Sequence, residues 1–208
     1  MTARRKRRIP VYVIIIIILV ISTAAVLLKT ALDYLEERYL LTTHPLEYTG
    51  YVEKYALEYG LDKYLVYAVI KTESSFKADA LSDAGAVGLM QIMEDTFDWI
   101  NFRLDEEADY SVMNEPETNI RYGCYLLYYL SGLYEDRDCA VAAYHAGAGS
   151  VSGWLLDPRY SSDGKTLKEI PISDTAHYVD KINKAYQNYI KLYNEKFARK
   201  FAHSEVSG

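Results

Sequence analysis

Residues 65–76 read Leu-Val-Tyr-Ala-Val-Ile-Lys-Thr-Glu-Ser-Ser-Phe, so that an apolar run leads directly into Glu73 and two serines. A segment of small residues follows at 80–88, and it is succeeded by Leu-Met-Gln-Ile-Met at 89–93. This order predicts a buried helix that ends beside a glycine-rich loop, with Glu73 near the helix end. Because removal from water disfavours the charged form of a carboxyl group, such a position raises the pKa of a glutamate. A glutamate that stays protonated near neutral pH is the proton donor that cleavage of a glycosidic bond requires.

The segments on both sides of this stretch also have helical periodicity. Aromatic and apolar residues recur at three- and four-residue spacing from Tyr48 to Tyr59, Gly60 is a natural stop, and Asp62 is placed to cap the next helix. Ser150 is expected to cap only a brief turn. Further helices are predicted over residues 94–101, 117–134, 136–146 and 173–201, the last capped by Ser173 or Asp174. No segment alternates convincingly like a strand, so the sequence predicts a mainly α fold.

The first thirty residues form a separate segment. The basic run Arg4-Arg5-Lys6-Arg7-Arg8 is followed by residues 9–28, which contain no charged residue. This length matches the ~20 residues that a helix needs to cross a bilayer. The rival interpretation is a cleavable signal peptide, whose apolar region is usually only ~7–15 residues long. We expect an uncleaved single-pass anchor in the cytoplasmic membrane at 9–28, a cytoplasmic basic tail at 1–8 and a stalk at 29–45, with the rest of the chain outside.

Charge is unequally divided between these parts. Five of the 23 basic residues precede Leu28 and all 29 acidic residues follow it, so the remainder has 18 basic residues and a formal charge of −11. This balance argues against nucleic acid as a partner, because its binding requires basic surface. Cys124 and Cys139 lie in the part expected outside, where they could form a disulfide or remain as buried thiols. No Cys and His cluster has the spacing of metal ligands, and no cofactor is expected.

Four motifs follow one another in a specific order. They are Glu73-Ser74-Ser75-Phe76, then Gly-Ala-Val-Gly-Leu-Met-Gln-Ile-Met at 85–93, Ala-Ala-Tyr-His-Ala-Gly-Ala-Gly at 142–149, and Ile-Pro-Ile-Ser-Asp-Thr-Ala-His-Tyr-Val at 170–179. Together they resemble the soluble-lytic-transglycosylase family of peptidoglycan enzymes, over roughly residues 47–193. Each motif alone is weak, whereas the four in this order are specific.

The resemblance implies a lysozyme-like helical catalytic domain at 46–201, followed by a tail at 202–208. It also implies cleavage of the β-1,4 bond between N-acetylmuramic acid and N-acetylglucosamine, with a 1,6-anhydromuramic end as the product. On this mapping Glu73 is the catalytic acid and then the base. The residues expected to bind the peptidoglycan glycan strand are Ser82, Met90, Gln91, Tyr144, His145 and Tyr178. We expect the protein to be a monomer.

The sequence offers one well-placed carboxyl group, whereas most glycosidases use two. Asp79 and Asp83 are near in sequence, but both lie in a polar loop. One carboxyl group suffices if the N-acetyl oxygen of the substrate stabilises the anomeric centre. Glu73 would then remove a proton from the tethered 6-hydroxyl of the same sugar, whose effective concentration can exceed that of water. The resemblance puts Tyr144 beside this carboxyl, where its hydroxyl could hold Glu73 or the acetamido group, and Tyr178 on the last helix, which closes the groove.

The chain departs from the family pattern at four positions. His145 stands where the family usually has Asn, Ala148 where it has Pro, Asp174 where it has Glu, and Ala176 where it has Arg. None of these changes affects Glu73, Gln91 or Tyr144.

Two other functions fit the same sequence. The first is a hydrolase on the same fold, similar to goose-type lysozyme, which needs a general base such as Asp79 or Asp83 to hold a water molecule. The second is a non-catalytic glycan-binding protein or scaffold within an envelope complex. Replacement of Glu73 by Gln separates an enzyme from a scaffold, and the mass of the product separates the two enzymes.

Overall fold

The computed structural model describes residues 10–194, which divide into one unit that ends at Thr43 and a second that begins at His44. Three predicted segments lie outside the described residues. They are the basic tail at 1–8, the end of the last predicted helix at 195–201 and the tail at 202–208.

Within the described residues, the first unit is one long helix, α1, at Val11–Thr43. The apolar side chains of its N-terminal half are exposed, and the helix is long and apolar enough to cross a membrane. At 1.5 Å per residue its 33 residues extend about 50 Å, which exceeds the ~30 Å hydrocarbon core of a bilayer. The helix runs without a break through most of the segment predicted as a stalk. It ends just before the dipeptide His44-Pro45, because the residue preceding a proline disfavours helical backbone.

The second unit is built from helices. They are α2 (Thr49–Glu58), α3 (Lys63–Ser74), α4 (Glu94–Leu104), a short 3₁₀ helix (Tyr110–Asn114), α5 (Pro116–Leu133), α6 (Arg137–Ala146), α7 (Ala148–Leu156) and α8 (Ser173–Tyr189), which continues as a π-helical turn (Ile190–Asn194). Residues 10–194 contain no strand ladder, only isolated bridges that join Val87 to Leu81 and to Ile92. The prediction of a mainly α fold is therefore confirmed.

Helix α3 forms the centre of the second unit and packs against α8 and α2. Its residues 64–70 are all buried, so the helix is covered on every side, as expected for a core helix. Asp62 caps the N-terminus as predicted, since its carboxylate accepts a hydrogen bond from the Tyr64 amide at 2.8 Å. The helix ends at Ser74, and Ser75 turns the chain with a φ of 51°. Glu73 therefore lies in the last turn of a buried helix, as predicted.

Two predicted caps are wrong. The chain after Gly147 forms the full helix α7 and not a brief turn capped by Ser150. Gly147 has a φ of 82°, a value that glycine adopts without strain, so the chain can change direction there and start α7 at once. At α8 the N-cap is Ile172, not Ser173 or Asp174, and no side chain caps this helix end.

The start of the second unit is held by its last helix. The Tyr189 hydroxyl donates a hydrogen bond to the Pro45 carbonyl at 3.1 Å, and the Tyr193 hydroxyl donates to the His44 carbonyl at 2.7 Å. Asn188 Nδ2 lies 3.2 Å from the His44 ring Nε2. The first and last described residues of the second unit are therefore adjacent.

Cys124 and Cys139 are both buried free thiols, so the alternative of a disulfide between them is wrong. Burial raises the pKa of the Cys139 thiol to about 12. Because a thiol reacts as its thiolate, neither cysteine is in a reactive setting.

Candidate active site

Glu73 is joined to helix α8 by a short hydrogen bond, in which the Tyr178 hydroxyl donates to Glu73 Oε1 at 2.6 Å. Burial raises the pKa of Glu73 to about 7, and the hydrogen bond from Tyr178 acts in the opposite direction by favouring the carboxylate. The side chain is nevertheless partly accessible to solvent. Near pH 7 this carboxyl group can therefore both give and accept a proton, which suits it to acid–base chemistry.

The hydroxyls of Tyr144 and Tyr178 both interact electrostatically with this carboxyl group. Burial raises the pKa of both hydroxyls well above the ordinary value, and the charge of Glu73 adds to the effect in both. Both tyrosines therefore remain protonated donors. Tyr178 donates to Glu73, whereas Tyr144 donates to the Met90 carbonyl at 2.8 Å. Of the two partners suggested for the Tyr144 hydroxyl, Glu73 and the substrate acetamido group, Glu73 is thus bound by Tyr178 instead.

Met90 belongs to the core and not to an accessible saccharide surface. The residue is 0% exposed, and its side chain packs so closely on Gly123 that a Cβ there would lie 2.3 Å from the Met90 sulfur. A residue covered in this way cannot contact a ligand directly, which corrects its predicted role in substrate binding. Its contribution to the site is indirect, because its carbonyl holds the Tyr144 hydroxyl.

Gln91 follows Met90 with a φ of 51°, a left-handed value that is uncommon outside glycine. Its side-chain Nε2 donates to the Gly88 carbonyl at 2.9 Å and to the Ala80 carbonyl at 3.2 Å. The two amide hydrogens are therefore used inside the loop. The atom that remains for a ligand is Oε1, which can only accept a hydrogen bond.

His145 joins the cluster through Tyr178. The two rings lie 4.6 Å apart between centroids, and the His145 Nδ1 is 3.1 Å from the Thr175 hydroxyl. Partial burial lowers the pKa of His145, although the charge of Asp174 opposes this shift. The ring is therefore mainly neutral at pH 7, and it bonds to α8 from the end of α6.

Ser82 and the loop acids are less closely connected to Glu73. The Ser82 hydroxyl accepts from the Ala86 amide at 2.9 Å, and the Ser82 amide donates to the Ala86 carbonyl at 2.9 Å, so these bonds stay within one turn. Asp79 and Asp83 are exposed, as expected for a polar loop. The structure therefore brings together Glu73, Tyr144, Tyr178 and His145, with Gln91 held in the loop that Tyr144 contacts.

Two residues that organise this site were not predicted. Ser74 donates from its hydroxyl to the Leu89 carbonyl at 2.8 Å, and Asn119 accepts from the Met90 amide at 2.7 Å. Asn119 carries a signal in the sequence, because it lies four residues before Gly123 on the otherwise apolar inward face of its helix. Ser74 carries no such signal, since serine is ordinary near a helix end.

Other candidate sites are few among the described residues. Residues 10–194 contain no group of three or more His, Cys, Asp or Glu side chains that could hold a metal ion. A cavity of about 300 Å³ is lined by Tyr134, Glu135, Ser152 and Lys165, among others, and none of the residues around Glu73 borders it.

Comparison with known proteins agrees with this geometry. The family model described as "Transglycosylase SLT domain" matches residues 50–166. The chain is 33% identical over 174 residues to the soluble lytic murein transglycosylase of Salmonella typhimurium, with 82% of this chain and 26% of that protein covered. It is 29% identical over 190 residues to the membrane-bound lytic murein transglycosylase C of Haemophilus ducreyi, with 80% and 50% covered. The chain thus spans between a quarter and a half of the length of these relatives.

Solved structures agree as well. The crystal structure of an inactive mutant of the lytic transglycosylase Slt from Pseudomonas aeruginosa has a TM-score of 0.64 and 28% sequence identity to this chain. The similarity covers 73% of this chain and 25% of that one. The lysozyme-like helical fold that the four motifs implied is therefore confirmed. The chain belongs to the transglycosylase SLT domain family.

Proposed function

We propose that this protein is a membrane-anchored lytic transglycosylase, which cleaves the β-1,4 bond between N-acetylmuramic acid and N-acetylglucosamine in peptidoglycan. The observation that carries the proposal is the carboxyl group of Glu73, whose pKa of about 7 lets it act as an acid and then as a base. The names of the relatives from Salmonella typhimurium and Haemophilus ducreyi support the same reaction class.

In the first half of the reaction Glu73 acts as the general acid. Its protonated carboxyl donates a proton to the glycosidic oxygen while the bond from that oxygen to the muramic C1 breaks. The N-acetyl carbonyl oxygen of the muramic residue bonds to C1 and takes up the developing positive charge. Glu73 is left as a carboxylate, which the hydroxyl of Tyr178 stabilises through its 2.6 Å hydrogen bond.

In the second half Glu73 acts as the general base. Its carboxylate removes the proton from the muramic 6-hydroxyl, O6 bonds to C1, and the bond from C1 to the acetamido oxygen breaks. The product is a 1,6-anhydromuramic end, and Glu73 is protonated again, so no water is consumed. A second carboxylate is not required, which agrees with the exposure of Asp79 and Asp83.

The remaining contacts of the glycan strand are assigned to residues around this carboxyl group. Gln91 accepts from a sugar N–H or O–H through Oε1, because its Nε2 is bonded inside the loop. Tyr144 and His145 border the muramic residue, and Ser82 contacts the strand from its turn. The protein acts as a monomer.

Membrane attachment is supported by α1 and by the name of the membrane-bound relative. The apolar half of α1 is long enough to span the bilayer once. The basic residues at 4–8 keep the N-terminus in the cytoplasm, so the second unit faces the cell wall.

The decisive experiment is digestion of purified sacculi with the parent protein and with Glu73→Gln. We expect the variant to lose at least ~10²-fold in rate, the usual size of a general acid–base contribution. Glu58→Gln, an exposed glutamate on α2, is the matched control and retains the parental rate. Mass spectrometry of the fragments should show ends that are one water lighter than reducing ends. Reducing ends would instead identify a hydrolase, and an inactive parent protein would leave only glycan binding.

A further inference from the structure

The loop that leads into Gln91 is held by the buried side-chain amide of Asn119. Asn119, in the first turn of α5, is 0% exposed. Its Oδ1 accepts from the Met90 amide at 2.7 Å, and its Nδ2 donates to the carbonyls of Val87 and Met113, both at 2.9 Å. One side chain thus binds three backbone groups, of which the Val87 carbonyl also accepts from the Ile92 amide at 3.1 Å.

Hydrogen bonds from three helices hold the backbone of residues 89–90. The Met90 N–H is bound by Asn119 of α5, and the Met90 carbonyl is bound by Tyr144 of α6. The preceding Leu89 carbonyl is bound by Ser74, the neighbour of Glu73 on α3. Three helices therefore fix the segment whose next residue is Gln91.

The loop backbone packs closely against Asn119 at Gly88. Gly88 has a φ of 81°, and a Cβ on it would lie 2.2 Å from Asn119 Nδ2 and 2.5 Å from the Met113 carbonyl oxygen. The loop backbone consequently approaches the amide as closely as a glycine allows.

We infer that Asn119 is a positioning residue for the proposed reaction, and that it sets the place of Gln91 and of the Tyr144 hydroxyl relative to Glu73 without contacting the substrate. The inference rests on the proposed function. An apolar residue of similar volume would fill the same space, but it would remove the partner of the Met90 N–H and of the Met113 carbonyl. The Val87 carbonyl would keep only its hydrogen bond from the Ile92 amide. The loop would then shift to find partners elsewhere, and Gln91 would move with it.

The test compares Asn119→Ala and Asn119→Leu with Leu127→Ala. Leu127 is a fully buried apolar residue two turns further along α5, so its replacement weakens the core without removing a hydrogen bond from the loop. Each variant is assayed on sacculi at a temperature at which it is folded. A misplacement of about 1 Å can cost ~10²-fold, so we expect kcat/KM to fall by that order in both Asn119 variants and to stay at the parental value in Leu127→Ala.

Two readouts separate positioning from general destabilisation. The Met90 amide should exchange its hydrogen faster in the Asn119 variants and at the parental rate in Leu127→Ala. The pH at which activity falls should stay unchanged, because Asn119 makes no contact with Glu73. Equal losses in Asn119→Ala and in a Leu127→Ala variant of matched Tm would overturn the inference, as would parental exchange at Met90.

A measurement of saccharide binding distinguishes failure of the proposed function from failure of this inference. The same substitutions are placed in Glu73→Gln, and the Kd for a soluble tetrasaccharide of alternating N-acetylglucosamine and N-acetylmuramic acid is measured. If the parent does not cleave sacculi but the tetrasaccharide binds and Asn119→Ala weakens it, the reaction is wrong and the positioning role stands. If no variant binds, both are overturned.

Discussion

Replacement of Tyr178 by Phe isolates the one hydrogen bond that Glu73 receives from α8. The Tyr178 hydroxyl donates to Glu73 Oε1 at 2.6 Å, and this bond favours the carboxylate over the protonated form. Burial has already raised the pKa of Glu73 to about 7. Loss of the donor removes the opposing effect, so the pKa of Glu73 rises further in Tyr178→Phe.

The size of the shift follows from the strength of the bond. A hydrogen bond to a charged group contributes about 1.5–3 kcal/mol, and one pKa unit corresponds to ~1.36 kcal/mol. Because Glu73 is partly accessible, water replaces part of the lost bond, and we take the lower end of this range. The pKa of Glu73 is therefore expected to reach ~8 in the variant.

The assay is kcat/KM on purified glycan strands as a function of pH. Activity requires the protonated carboxyl group and falls as Glu73 ionises, so the decline should move from about pH 7 in the parent to ~8 in Tyr178→Phe. At pH 5 the variant should be slower than the parent by ~10-fold, because the carboxylate that forms during the reaction has lost its donor. A ¹³C NMR titration of the Glu73 carboxyl measures the same pKa without turnover.

Tyr186→Phe is a matched control on the same helix. The Tyr186 hydroxyl also donates to a carboxylate at 2.6 Å, but its acceptor is Asp62 at the start of α3. This variant should keep the parental pH profile. If the decline in Tyr178→Phe stays at the parental pH or moves to lower pH, the assignment of Glu73 as the titrating acid is refuted.

Two further predictions concern stability. The pKa of Glu73 is raised from its ordinary 4.5 to about 7, so the folded state binds the proton more tightly than the unfolded state. The stability of the parent therefore falls as pH rises through this range. Relative to the parent, the free energy of unfolding of Glu73→Gln in urea should increase by up to about 3 kcal/mol between pH 4 and pH 8. Gly88→Ala should lower the free energy of unfolding by about 2–5 kcal/mol, because the new Cβ would clash with Asn119 and Met113 and the φ is positive. Gly85→Ala, with a φ of 89° but open space, should lower it by only about 1–2 kcal/mol. A similar loss at both positions would contradict this reasoning.

Local signals in the sequence were sufficient for the helices and for the position of Glu73. Asp62 caps α3 because an acidic side chain can reach the second amide of a helix, and this depends on neighbouring residues alone. The apolar run at 65–70 predicts burial on every side, since a helix with no polar face has no side for water. The position of Glu73 in the last turn then follows from the length of that run.

Contacts between distant segments were less accessible from the sequence. Tyr178 is 105 residues from Glu73. The family resemblance placed Tyr144 beside Glu73, with Glu73 or the acetamido group as its possible partner, whereas Tyr144 binds the Met90 carbonyl. Which tyrosine binds Glu73 depends on how α6 and α8 pack around α3, and helical periodicity does not specify that packing. The role of Asn119 depends in the same way on the path of a loop that has no regular structure.

Adjacent ends have a consequence for how the second unit combines with other segments. Tyr189 and Tyr193 bind the carbonyls of Pro45 and His44, so the first residues of this unit and the last ones that the structure describes are neighbours. Domains whose two ends are close together are readily inserted into other proteins, because both connections are made at one place. The aligned region makes up 26% of the relative from Salmonella typhimurium and 50% of the relative from Haemophilus ducreyi, as expected of a domain that combines with different flanking segments.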